Sequence, residues 1–254
     1  MLRSTLLKLE TRLTPYVFCK NLPLKRDTGV VSFCFDDTSL SSCVAGRNAL
    51  EAFGCHGTWY IAGGLTDQLE QGRLCHSVRD VQDLAGAGHH IGCHTFSHKS
   101  CAQMSTTELL AEIDSNAAFF EQIGLPSSNL DFSFPFGAMD LSSKRIASQK
   151  FRSSRITGGG IQVGTADLNR LRTQNLYQQA ITQERIDALT AEVANKKGWL
   201  IFYTHDVEEN PSRWGCTPKL LSGAIQSALN IGCKVMSVAQ AIEYWSEPLK
   251  SVGY

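Results

Sequence analysis

Val30 to Ser42 reads VVSFCFDDTSLSS, an apolar run of β-formers that ends in two adjacent carboxylates, Asp36 and Asp37. Asp-Asp-Thr-Ser also suits a turn or a helix cap, so the pair acquires meaning only from residues elsewhere. His94 and His98 stand four apart in HHIGCHTFSHKS. A helical turn after Gly92 would put both imidazoles on one face, at a spacing that chelates a divalent metal. A solvated helix face or a satisfied core pair is the competing account of the histidines alone. Two His and one Asp make three ligands with positions left open, the pattern of a catalytic zinc rather than a structural one. Only one of Asp36 and Asp37 is needed as a ligand. The other is free to accept a proton from water, and adjacent like charges become reasonable beside a dication.

These residues need a frame. Apolar runs of strand length at Val30–Phe35, Gly57–Ala62, His89–Cys93, Phe132–Phe134, Phe151–Ile156, Leu168–Leu176, Trp199–Thr204 and Lys234–Val238 alternate with helical patterns. The clearest helix follows Ser105, whose spacing to Glu108 is that of a capping box; Leu109, Ile113, Ala117 and Phe120 form its apolar stripe and Gly124 ends it. Thr217-Pro218 opens a second helix, running to Gly232, and Ser237 with Gln240 caps a third. Ile186, Leu189 and Val193 mark a fourth. Repeated strand-then-helix units without a Pro/Gly-rich linker read as one α/β domain over 1–254, a barrel or a doubly wound sheet, with its catalytic core at about 30–240. In a barrel, chemistry gathers at the C-terminal ends of the strands. Asp36 and Asp37, His94 and His98, Pro135-Phe136-Gly137, and His205 with Asp206 all follow strand-like runs, so four separate segments would meet on one rim.

The order FCFDDT, HTFSH, FPFG and LIFYTHD resembles the NodB-homology polysaccharide deacetylases, carbohydrate esterase family 4, over roughly Val30 to Val238. The resemblance implies a distorted (β/α) barrel of about seven strands and metal-dependent removal of an acetyl group from an N-acetylated sugar. It also implies Asp36 as base, Asp37, His94 and His98 as ligands of one divalent ion, zinc by preference, and His205 as general acid. The Pro135-Phe136-Gly137 turn would offer the Phe136 N–H to the oxyanion. The sequence departs from the pattern in three places. Thr38 stands where a Gly commonly follows the Asp pair, Ser133 stands where many members carry an Arg, and no Asp-x-x-Asp-Trp segment is present. FRSSR supplies two candidates for the missing positive charge, Arg152 and Arg155. Asp206 and Trp214 are further supporting candidates, Trp214 as a stacking platform for a sugar or as packing.

Lys plus Arg and Asp plus Glu number 24 each, so nothing points to nucleic acid or to an anionic membrane surface. No segment approaches the length of a membrane span, and the N-terminal MLRSTLLKLETRLTPYVFCK lacks the apolar core of a signal peptide. The nine cysteines are odd in number, form no CxxC and read as reduced, buried thiols. These features lead to the expectation of a cytoplasmic enzyme acting on a glycan precursor, such as a nucleotide sugar or a lipid-linked glycan. Arg152, Arg155, Lys144 and Arg145 are candidates to meet a phosphorylated donor, and Gly158–Gly160 with Trp214 are candidates for sugar contacts. Hydrolysis of a small ureide or cyclic imide is the alternative within the same chemistry. A catalytically silent sugar-binding barrel ranks below both, because Asp36 and His205 are present. His56, His76, His89 and His90 read as structural.

Overall fold

The computed structural model describes residues 13–248, so Met1 to Arg12 and both ends of the expected 1–254 unit lie outside the described residues. Seven strands run parallel in a closed ring: β1 Val30–Phe35, β2 Thr58–Ile61, β3 His90–Cys93, β4 Asp131–Ser133, β5 Ser153–Thr157, β6 Leu171–Asn175 and β7 Trp199–Thr204. β7 closes on β1 along its whole length, from Trp199 opposite Val30 to Thr204 opposite Phe35. The other edge of β1 is divided, which distorts the ring. Cys34 and Phe35 pair with β2, whereas Val30 and Val31 pair with an eighth strand, β8 Lys234–Val235. A barrel, not an open doubly wound sheet, is the outcome. The expected run Leu168–Leu176 enters it only as β6; the residues just before form a ribbon, Thr165–Asp167, against Asn21–Pro23.

Period-two alternation builds the two sides of this wall. Val31, Phe33 and Phe35 of β1 and Leu200 and Phe202 of β7 join the core beneath the helices. Val30, Cys34, Trp199, Ile201 and Tyr203 join a second core inside the barrel. Gly92 on β3 faces inward, where a Cβ would collide with the Tyr60 ring. Among the described residues seven α-helices accompany the strands: α1 Arg47–Glu51, α2 Val78–Gly86, α3 Thr106–Gln122, α4 Leu141–Lys150, α5 Gln183–Lys196, α6 Pro218–Asn230 and α7 Val238–Ser246. The reciprocal capping bonds expected of Ser105 with Glu108 and Ser237 with Gln240 are present, and Pro218 is the first residue after the Thr217 cap. One stripe position differs: on α3 the buried residue is Asn116, not Ala117. Its side chain donates to the Ile61 carbonyl at 3.0 Å and accepts from the Gly63 N–H at 2.8 Å, so a polar group ties the helix to the end of β2 at no unsatisfied cost. Trp59, Trp199 and Trp245 lie in the core as expected, and eight of nine cysteines are buried and unpaired.

At the opposite end from the expected site, the buried Asp131 receives Arg152 at 2.6 and 3.0 Å, Ser153 at 2.8 Å and His90 at 3.0 Å. Burial pushes its carboxyl up, but His90 and Arg152 outweigh that and hold it at about 2. A depressed carboxyl adds stability above its unfolded value near 4, and that stability is lost as pH falls toward 2. Arg152→Ala is therefore expected to cost about 3 kcal/mol at neutral pH, at the low end for a broken buried pair because His90 remains. Denaturant midpoints at pH 7 and pH 3 check this, since the penalty should shrink at the lower pH; a penalty independent of pH would contradict the role given to the ion pair.

Candidate active site

Inward-facing parity continues one step beyond the strands. Val30, Ser32 and Cys34 alternate toward the barrel interior, and Asp36 is the next in that series; His94 follows Gly92, and His205 follows Trp199, Ile201 and Tyr203 in the same way. Asp36 is buried and ion-paired with Arg155 of β5. The Arg155 guanidinium, almost fully buried, lies 4.4 Å from the Tyr60 ring centroid and 5.4 Å from that of Tyr203. Burial opposes its charge most strongly, but Asp36 together with Cys34, Tyr60 and Tyr203 outweighs burial, so the group is held more firmly protonated than a free arginine. Arg155 is also the direct cross-strand partner of Ser133. The positive charge missing at Ser133 is thus delivered from the neighbouring strand.

Asp37 does not continue the alternation. It adopts φ 55° and Thr38 φ 52°, both left-handed, which turns the second carboxylate toward the mouth. Glycine would take this conformation at no steric cost; Thr38 takes it under restraint, its hydroxyl donating to the Tyr60 carbonyl and its own carbonyl accepting from the His76 N–H at 2.9 Å. His76 is therefore structural, but as a support of the site.

The His94–His98 segment is not helical. Thr95 and His98 have φ 62° and 53°, and the loop between strand and α3 is held by Glu112, which accepts from the Phe96 and Ser97 N–H groups at 3.0 and 2.7 Å and from the Ser97 hydroxyl at 2.5 Å. The imidazoles nevertheless converge. His98 Nε2 lies 2.9 Å and His94 Nε2 3.4 Å from Asp37 Oδ1, and one ligand atom from each of the three lies within 4.8 Å of the others. Asp37 Oδ1 is buried and, among the described residues, accepts no well-aligned hydrogen bond despite these distances. Donor atoms that crowd one point without bonding each other are what ligands of a single ion require, so the residues fit a divalent metal. His94 Nδ1 lies 2.7 Å from the Ser133 carbonyl, which accepts its proton and leaves Nε2 with a lone pair for the metal. Burial works against the Asp37 carboxylate, but His94, His98 and His205 outweigh it and hold the group well below the usual carboxylate range.

A cleft of about 420 Å³ opens over this cluster, lined among others by Asp36, Asp37, His94, His98, Phe136 and His205. His205 Nδ1 sits 3.2 Å from the Trp214 carbonyl and its Nε2 3.8 Å from Asp37 Oδ2, so the free edge of the ring faces the cleft. The Pro135–Gly137 turn packs against β5 so closely that a Cβ on Gly137, at φ 65°, would collide with the Thr157 hydroxyl. Gly137 and Ala138 donate to the Phe134 and Pro135 carbonyls, which leaves the Phe136 N–H without a backbone partner among the described residues. The Phe136 ring stands 4.7 Å from that of His98 at the rim.

The family model described as polysaccharide deacetylase matches residues 24–151. The chain belongs to that family. It is accordingly an enzyme of the carbohydrate-deacetylase type, a hydrolase. No curated protein matches the chain in sequence. Solved structures that resemble it include a family 4 carbohydrate esterase of Bacillus subtilis, with 15% identity and a TM-score of 0.61 over 94% of this chain and 90% of that one. The chitin deacetylase of Colletotrichum lindemuthianum gives 14% and 0.60 over 86% and 89%. An acetyl xylan esterase of Clostridium thermocellum, in complex with a cobalt ion, gives 18% and 0.59 over 86% and 93%. At such identities the likeness is one of fold, and the deacetylase barrel is what they share.

Several residues expected near the deacetylase site lie elsewhere. Arg152 serves Asp131 at the far end, and Lys144 is buried against Asp167 at 2.8 Å. Arg145 is exposed on α4, and Gly158–Gly160 do not line the cleft, although Thr157 beside them does. Asp206 does not orient His205. It accepts from Arg73 at 3.0 Å and from Ser212 N–H at 2.7 Å, ordering the loop that carries Trp214.

Glu70 was not foreseen, and its setting, LEQGR, carries no signal for a site. It ends the strand Leu69–Glu70 of a tight hairpin with Arg73–Leu74, whose turn residues Gln71 and Gly72 have φ 51° and 81°. Its Oε1 lies 3.3 Å from His98 Nδ1 and thereby orients the ring. Glu70→Gln is expected to weaken divalent-metal affinity by about 10- to 100-fold without unfolding the chain. Competition with a chromophoric chelator measures it, and unaltered affinity would remove Glu70 from the site.

Proposed function

We propose that the protein is a metal-dependent deacetylase that removes the N-acetyl group from a sugar or glycan precursor, with zinc as the ion. The observation that carries this reading is the convergence of Asp36, Asp37, His94, His98, His205 and the Phe136 turn on one cleft, from four strand ends. A divalent ion held by Asp37, His94 and His98 would supply charge that polarises an amide carbonyl and eases ionisation of water. Asp36, fixed by Arg155, takes the proton from the attacking water as the new C–O bond forms. The Phe136 N–H donates to the carbonyl oxygen as it gains charge. His205, whose Nδ1–H is held by the Trp214 carbonyl, gives a proton from Nε2 to the departing nitrogen as the C–N bond breaks. Acetate and a free amine result.

Nine unbridged cysteines, eight of them buried, support a reducing compartment and hence a cytoplasmic location. Among the described residues no helix is long and apolar enough to cross a membrane. The substrate we favour is therefore a nucleotide sugar or lipid-linked glycan in polysaccharide biosynthesis, not mature polymer. An acetate-release screen over nucleotide sugars, lipid-linked glycans and oligosaccharides tests this, together with cell fractionation. Turnover confined to long polymers would refute the precursor assignment.

A further inference from the structure

A second cleft of about 360 Å³ adjoins the first and shares Asp37, Gln71, His205, Arg213 and Trp214 with it. The two are halves of one depression. A bridge divides them: Trp214 Nε1 donates to Gln71 Oε1 at 3.1 Å, joining the hairpin to the loop after β7. Arg213 lies on this bridge, its guanidinium 4.4 Å above the Trp214 ring.

The charges around the bridge are almost all spoken for. Asp36 has Arg155, Asp37 the imidazoles, Glu70 His98, and Asp206 both Arg73 and Ser212. Arg73 also meets Glu208 at 3.0 Å. Lys144, Arg152 and Arg155, which the sequence offered as contacts for a phosphorylated donor, are each committed to a carboxylate. Arg213 is exposed, lines both halves, and has neither an ion pair nor a hydrogen bond among the described residues. A guanidinium stacked on an anchored indole keeps its fork of donors directed outward at little cost in side-chain freedom.

We infer that Arg213 is a specificity residue that binds an oxyanion, phosphoryl or carboxylate, attached to the N-acyl sugar. The inference rests on the deacetylase reading and narrows its substrate class: the amide enters the half with Asp36 and His94, and the oxyanion meets Arg213 at the bridge. A neutral sugar fills the same cleft without that contact.

The test uses the full chain with its metal and three probes: N-acetylglucosamine, its 1-phosphate, and a 2-acetamido hexuronic acid. One charge-assisted contact at a solvent-exposed rim predicts a kcat/KM for an anionic probe about tenfold above that for the neutral sugar. Arg213→Ala should raise KM for the preferred anionic probe about tenfold more than for the neutral sugar, and Arg213→Lys should recover part of the difference. The preference should shrink as salt screens it. The phosphate and carboxylate arms tell which oxyanion is read. Equal treatment of all three probes, or an Arg213→Ala effect common to charged and neutral sugars, overturns the inference while leaving deacetylation intact. Should none of the three probes release acetate, calorimetric titration of the 1-phosphate into wild type and Arg213→Glu decides. Binding lost in the variant upholds the oxyanion site, and absent or equal binding refutes it.

Discussion

Asp36→Asn should lower turnover by about 10²- to 10⁴-fold, the range for loss of a positioned proton acceptor, with the metal content left near that of wild type. The amide is close to isosteric and still accepts from Arg155, so folding is preserved, but it takes no proton from water. Replacing the carboxylate does leave the buried Arg155 without its counter-charge, so thermal unfolding is measured beside the kinetics. His205→Ala belongs to the same class, because His205 is assigned to proton donation and not to the metal. The paired readout, kcat and metal per chain, separates these roles from ligation. If Asp36→Asn sheds its metal while Asp37→Ala keeps both metal and activity, the two aspartates have been assigned in reverse.

Asp37→Ala has the larger effect on the ion itself. Removing it deletes the one carboxylate of a three-residue set and leaves two imidazoles held by a strand end and a loop. The loss in affinity should exceed the roughly 10- to 100-fold expected for an outer partner such as Glu70, and activity should fall with occupancy. Equilibrium dialysis against graded free zinc, followed by acetate release at each occupancy, gives both curves. Full activity in an Asp37→Ala protein saturated with metal would remove Asp37 from the ligand set.

The strand ends were legible in the sequence because each strand-like run stops at polar residues, and barrel chemistry gathers at the C-terminal ends of strands. Asp36, His94 and His205 each directly follow such a run, and the structure adds that each takes the next inward position. What positions His98 was not. A helical turn was the simple reading of HTFSH, yet the chain reaches the same convergence through left-handed residues stabilised by Glu112, a contact between α3 and a loop that no local spacing encodes. Arg155 was visible as one of two candidates; only the register that sets it opposite Ser133 separates it from Arg152. Asn116 in place of Ala117 shows the same limit, since a polar residue on an apolar stripe is legible only once its partners at Ile61 and Gly63 are in place.

The central claim is that Asp37, His94 and His98 hold one catalytic divalent ion. Elemental analysis of protein purified without chelator tests it most directly, comparing wild type with the double variant His94→Ala, His98→Ala, both checked for native circular dichroism. The account predicts close to one divalent ion per wild-type chain and essentially none in the folded variant. Equal metal content in the two proteins would contradict it.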